Sequence, residues 1–200
     1  MKIDNAKIIL LHPGKTGGTS IEHTLRDIYL PETQLNSRDG NRDIMFGLDK
    51  QYNCYLQHAD LRLYDILTIP YKDYKTICTV RRPYERILSC YYYNAKNKTD
   101  DFSTFITKKL PDMFNSINSQ KYSKTHFSPQ YTFFKNVDHI IKLENFTDDC
   151  KNAGLEVKYH YSKTAGMKDH KNPMDMYNQK MKDIVYDLYK EDFEMLGYER

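Results

Sequence analysis

Two hundred residues are enough for one domain with a sizeable core, and the composition carries no bias toward disorder. Thirty Lys and Arg against 27 Asp and Glu leave a net charge of +3, too small to argue for nucleic acid as a partner. Residues 1–12 hold only a short apolar run, Ile8 to Leu11, and no later segment approaches the ~20 apolar residues that span a bilayer. The expectation is a soluble, cytoplasmic chain with a single domain over residues 1–200.

The first informative stretch is Lys7 to Leu25, KIILLHPGKTGGTSIEHTL. Ile8 to Leu11 form a continuous apolar run, the pattern of a strand covered on both faces in a parallel sheet. Pro13, Gly14, Gly17 and Gly18 then break the backbone, and Thr19 and Ser20 can cap a helix whose Ile21, Leu25 and Ile28 share one face. A strand feeding a glycine-rich loop that opens a helix gathers inward-pointing N–H groups and the positive end of the helix dipole, a cradle for phosphate or sulfate. Lys15 adds a cation, and Thr16, Thr19 and Ser20 add hydroxyls. A Walker A loop needs a glycine five residues before the Gly14-Lys15 pair, and Ile9 stands there, so this is not an ordinary ATP or GTP loop.

Pro31 to Lys50 reads as a polar surface excursion. Tyr52 to Gln57 is a candidate strand, with His58 directly after it and a short helix over Ala59 to Leu67. Ligands in open α/β sheets bind beyond the carboxyl ends of the strands, which makes the place of His58 notable. Lys75 to Val80 is a second buried strand, and a helix begins near Pro83. In VRRPYERILSCY, Arg81 leaves the strand end, and Arg86 and Ser89 share a helix face. A guanidinium fork and a hydroxyl on one side make a second phosphate site; Arg82 is expected to face solvent or an acidic neighbour.

Asp101 to Leu110 and Pro111 to Ile117 read as short helices joined at Pro111, followed by a polar loop through Lys124. In His126-Phe127-Ser128-Pro129-Gln130, His126 and Gln130 are polar exceptions in an aromatic run and are expected to face the cleft. Asp138 to Leu143 is a third strand, ending at Glu144, with a helix over Phe146 to Ala153. Val157 to Tyr161 is a fourth, Ser162 to Pro173 a basic loop, and a helix carrying Tyr177, Met181, Ile184 and Leu188 ends before Gly197. Cys54, Cys78, Cys90 and Cys150 form no Cys-x-x-Cys pair and lie near no His at ligand spacing, so buried thiols and no metal site are expected.

With these motifs in place, the chain resembles the sulfotransferase superfamily that uses 3′-phosphoadenosine 5′-phosphosulfate (PAPS), and within it the carbohydrate or uronyl 2-O type. PGKTGGTS looks like the family's 5′-phosphosulfate loop, and VRRPYERILS resembles its 3′-phosphate motif, with Arg81 and Ser89 on the arginine and serine. QHADL is similar to the Gly-His segment that carries the proposed base, with Gln57 in place of the glycine. HFSPQ and the Asp-Phe-x-x-x-Gly-Tyr ending also match family segments. The resemblance implies a P-loop-like three-layer α/β sandwich, its central parallel sheet flanked by helices, and a bare catalytic domain without the stem and anchor such members commonly carry.

It also implies roles. Lys15, Thr16, Gly17, Gly18, Thr19 and Ser20 would hold the 5′ end of PAPS, Arg81 and Ser89 the 3′-phosphate, and Lys15 would stabilise the leaving oxygen. His58 would take the proton from an acceptor hydroxyl, with His126 and Glu144 as rival bases. The acceptor implied is a glycan hydroxyl, and no metal is required. Two other readings stay open at this level: a P-loop-like nucleotide kinase or hydrolase, and a non-catalytic module binding a nucleotide or glycan. Ile9 and the lack of an evident Mg²⁺-holding Asp at the second or third strand end oppose the first.

Overall fold

The computed structural model describes residues 1–30, 48–49, 52, 54–94, 101–119, 126–157 and 172–200. The expected excursion at 31–47, the loop at 121–124, the fourth strand at 158–161 and the basic loop at 162–171 lie outside the described residues. The chain forms a mixed α/β fold in two compact units: Met1–Val80 with Thr132–Tyr161, and Arg81–Tyr131 with Ser162–Arg200.

The first unit holds a four-stranded, mostly parallel sheet. Its strands are β1 (Lys2–Ile3), β2 (Ile8–Leu11), β5 (Lys75–Val80) and β6 (His139–Lys142), in the order β1-β2-β5-β6. β1 is an antiparallel edge, whereas β2, β5 and β6 run parallel, with Leu10 opposite Ile77 and Thr79 opposite Ile141. Parallel strands need both faces covered, and β2 is buried at all four positions. On one face Ile8, Leu10, Ile77 and Ile141 meet Ile21 and Leu25 of helix α1 (Gly18–Tyr29) and Phe146 and Cys150 of the helix Phe146–Asn152. Each such buried aliphatic side chain contributes ~1.5–3 kcal/mol. Ile28, expected on the same face of α1, is 42% exposed.

Between β2 and β5 the chain makes a separate two-stranded antiparallel sheet from β3 (Leu48–Asp49) and β4 (Cys54–Tyr55), then helix α2 (Leu61–Ile66). The strand expected at Tyr52 to Gln57 is therefore shorter and outside the central sheet. Asp60 caps α2 by accepting from the Leu63 N–H at 3.1 Å.

The second unit is helical around an aromatic core. Tyr84, Ile87, Leu88, Phe102, Phe105, Phe127, Tyr189 and Phe193 are buried together. Two expectations are corrected here. Pro111 does not join two helices: Phe102–Thr104, a π-helical turn over Phe105–Lys109 and Leu110–Ser119 run on as one. A proline ring collides with the carbonyl four residues back in a regular helix, and the wider turn just before Pro111 makes room for it. The terminal helix is not continuous: Gln179–Leu188 and Lys190–Leu196 meet at Tyr189, whose φ of −119° and ψ of 27° break the helix. Its hydroxyl donates to the Phe127 carbonyl at 2.7 Å, so a buried hydrogen bond fixes the break. Gly197 ends the last helix in the left-handed conformation, as expected.

Among the described residues, no helix is long and apolar enough to cross a membrane.

Candidate active site

The loop between β2 and α1 owes its shape to its own backbone. Lys15 and Gly17 both take left-handed conformations, with φ of 69° and 83°. For glycine this is free; for lysine it costs roughly 1–2 kcal/mol, strain of the kind found at ligand sites. Alternating left-handed residues turn successive N–H groups toward one concavity, an anion-binding arrangement. Gly17 then sits at the N-cap of α1, where no side chain caps the helix and the first turn holds no acidic residue. The end of a 12-residue helix thus keeps its partial positive charge facing the loop.

Gly18 is also required by space, and Gly17 by its left-handed backbone. A Cβ on Gly17 would lie 2.6 Å from Leu143 Cδ1, and one on Gly18 would lie 2.3 Å from the His12 ring. Thr16, expected to offer its hydroxyl to the anion, is buried instead; the hydroxyl donates to the Pro13 carbonyl at 2.6 Å. Because that proton is used, Thr79 of β5 is the donor in the 2.6 Å contact between the two threonine oxygens. The Thr16 side chain therefore ties the loop to the sheet, and its N–H is the group left to serve a ligand. Thr19 is exposed, Lys15 half-buried and Ser20 buried.

His58 reaches this loop through the main chain. Its Nδ1 lies 2.6 Å from the carbonyl oxygen of His12, the residue that follows β2, and the two rings meet edge to face at 5.0 Å. A carbonyl only accepts, so Nδ1 carries the proton, and the neutral ring's lone pair is on Nε2. The expectation that a central strand would deliver His58 is corrected; a hydrogen bond to the end of β2 does so.

Beneath it, buried His12 and Glu22 pair at 3.2 Å. Burial alone would raise the Glu22 pKa, but the His12 charge, its hydrogen bond and the chain's buried terminal ammonium outweigh it and hold the carboxyl below its ordinary range. Glu22 Oε2 has no hydrogen-bond partner. His12 and Glu22 were not anticipated; the signal was a histidine immediately beyond a strand's carboxyl end. Glu144 is exposed in a short 3-10 turn after β6.

The second unit carries the other expected residues. Arg81 and Arg82 precede a helix over Pro83–Asn94, with proline in its favoured first position. Arg82 pairs with Glu85 at 3.0 Å, as expected. Arg86 is corrected: 0% exposed, it donates to the carbonyls of His126 at 3.1 Å and Ser128 at 2.8 Å. Its fork holds a turn of the protein. Ser89 lies on the same helix, also buried. His126 packs its ring edge to face with Tyr93 at 4.8 Å.

Gln130, expected to face the cleft, is buried and grips the main chain of Arg81. Its Oε1 accepts from the Arg81 N–H and its Nε2 donates to the Arg81 carbonyl, both at 2.8 Å. Asp192 in turn accepts from the N–H groups of Gln130 at 2.9 Å and Tyr131 at 2.7 Å. Burial pushes the Asp192 carboxyl up, against Arg86 and these hydrogen bonds, which pull it down.

The structure thus gathers Lys15 to Ser20 and His58 in the first unit, and Arg81, Ser89 and His126 in the second. Among the described residues, no group of three or more His, Cys, Asp or Glu is placed to hold a metal ion. No curated protein and no solved structure matches the chain. The family model described as "Sulfotransferase family" matches residues 3–199, nearly every residue. This chain belongs to the sulfotransferase family and is an enzyme of sulfuryl transfer.

Proposed function

We propose that the chain transfers a sulfuryl group from PAPS to a carbohydrate hydroxyl, with His58 as the general base. The observation that carries the base assignment is the 2.6 Å bond from His58 Nδ1 to the His12 carbonyl. It fixes the tautomer of a neutral ring, whose lone pair is then on Nε2, in the unit that holds the glycine-rich loop. The family implies PAPS as the donor, and a loop with left-handed turns at Lys15 and Gly17 suits its phosphosulfate end.

In this reading the acceptor hydroxyl oxygen bonds to sulfur as the bond from sulfur to the bridging 5′-phosphate oxygen breaks. That oxygen keeps the electron pair, and the acceptor proton passes to His58 Nε2. Lys15 and the N–H groups of Gly17 and Gly18 offset the charge that grows on the leaving phosphate, a contribution typically worth ~3–4 kcal/mol for one well-aimed donor. Thr16 acts through its N–H, and Thr19 and Ser20 complete the helix end. Arg81 takes the 3′-phosphate and so separates this donor from ATP, whereas Ser89, fully buried on the following helix, is not placed to touch it. The carbohydrate acceptor rests on the likeness of QHADL to the uronyl 2-O segment.

The test has two parts. Calorimetry without metal should find that 3′-phosphoadenosine 5′-phosphate binds more tightly than 5′-AMP or ATP, with the preference lost in Arg81→Ala; equal binding of ATP would overturn the donor. Transfer of labelled sulfate to uronic-acid glycans should fall ~10²–10⁴-fold in His58→Ala with nucleotide affinity kept. The same loss in His126→Ala instead would move the base there.

A further inference from the structure

We infer that Gln130 and Asp192 are positioning residues that set this enzyme's preference for a 3′-phosphorylated nucleotide, by clamping the backbone of Arg81. The inference rests on the reading of Arg81 as the holder of the 3′-phosphate.

Arg81 lies just past the end of β5, before the helix that begins at Pro83, where neither strand nor helix bonding fixes its main chain. A long side chain on a loose backbone pays entropy for every contact it makes. Here both main-chain groups of Arg81 are taken by one side chain, the Gln130 amide, at 2.8 Å each. An amide that accepts with its oxygen and donates with its nitrogen matches a peptide unit as a neighbouring strand would. A carboxylate or an amine could satisfy only one side of it.

The clamp is itself held. Gln130 Nε2 also lies 3.3 Å from Asp192 Oδ2, and Asp192 accepts from the Gln130 and Tyr131 N–H groups. Arg86 fixes the preceding turn through the carbonyls of His126 and Ser128. Gln130 and Asp192 are both 0% exposed, so neither is placed to meet a nucleotide directly. A buried, ionisable Asp192 is costly unless its hydrogen bonds are made. Its cost is reduced by the N–H groups of Gln130 and Tyr131. What the network produces is a fixed Cα–Cβ direction for Arg81, which narrows where the guanidinium can reach before the ligand arrives.

The experiment is calorimetric binding of 3′-phosphoadenosine 5′-phosphate and 5′-AMP to the full chain and to Gln130→Met, which keeps side-chain length and removes both main-chain bonds. The ratio of the two affinities should fall about tenfold, while 5′-AMP affinity stays within about twofold. In the Arg81→Ala background, Gln130→Met should leave the ratio unchanged, because the aimed group is gone. A purely structural role would lower both affinities together, and that result overturns the proposal. So does an unchanged ratio in Gln130→Met when Arg81→Ala has lost the preference. If Arg81→Ala itself keeps the preference, the 3′-phosphate reading has failed and the clamp falls with it. Should Gln130→Met not fold, Asp192→Asn, of equal size, should lower the ratio in the same direction by a smaller factor; no change there overturns the inference.

Discussion

The loop at residues 13–20 and the Arg81 segment, each proposed as a grip for a phosphate, are built in opposite ways. The loop is made of main chain. Left-handed turns at Lys15 and Gly17, a helix start with no side-chain cap and a Gly18 with no room for a Cβ beside the His12 ring shape the loop within one short stretch. The Arg81 segment is made of buried side chains: Arg86, Gln130 and Asp192 are all fully covered, and in the chain Gln130 stands 49 residues from Arg81 and Asp192 stands 62 from Gln130. A backbone cradle is rigid because glycine permits one shape and its surroundings exclude others. A side-chain scaffold is held by the bonds its buried polar groups make; Arg86 spends two guanidinium nitrogens on carbonyls, while its buried Nε has no hydrogen-bond partner.

The largest effect that would break the comparison is at Lys15. Lys15→Gly removes the cation but relieves a left-handed lysine, so turnover should fall ~10²–10³-fold while stability stays within ~1 kcal/mol, strain relief offsetting glycine's entropy. A steady-state assay beside urea unfolding reads both. A large loss of stability would mean that the Lys15 side chain supports the loop rather than serves the ligand.

Next come two changes to the supports. Arg86→Met deletes two charge-assisted hydrogen bonds to carbonyls and should cost ~3 kcal/mol in urea unfolding. Gly18→Ala forces a methyl into the His12 ring and should cost ~1–3 kcal/mol. An Arg86→Met protein of full stability that had lost only nucleotide binding would return Arg86 to the phosphate site.

The smallest effect concerns acid. The Glu22 carboxyl is held below 4.5, so it stabilises the fold above that pH and the contribution is lost as pH falls through the lowered value. Asp192 is held above 3.8, so its buried charge weighs against the fold at neutral pH, and that penalty is relieved as pH falls toward 3.8. Thermal unfolding across acid pH should show Glu22→Gln flattening the loss below 4.5, and Asp192→Asn removing a gain of opposite sign above 3.8. If both variants shift the curve alike, the two carboxyls do not differ in the way their surroundings require.

The sequence by itself determined what local chemistry dictates. A buried apolar run, a glycine loop and a helix start lie within nineteen residues of Lys7 to Leu25, and their spacing sufficed for β2, the turn after it and α1, while the likeness of PGKTGGTS and VRRPYERILS to known motifs pointed to the family. β5, β6 and the left-handed end at Gly197 were legible for the same reason, since periodicity and turn residues act over a few positions. Only the tertiary structure decided which polar residues are spent on contacts within the protein. Arg81 and Arg86 are five apart and chemically identical, and nothing local separates the one before the helix from the one turned under it. His58 depended on a carbonyl 46 residues away, and Gln130 on Arg81 and Asp192. Hydrogen-bond partners distant in the chain leave no period in a sequence, because folding, not spacing, brings them together.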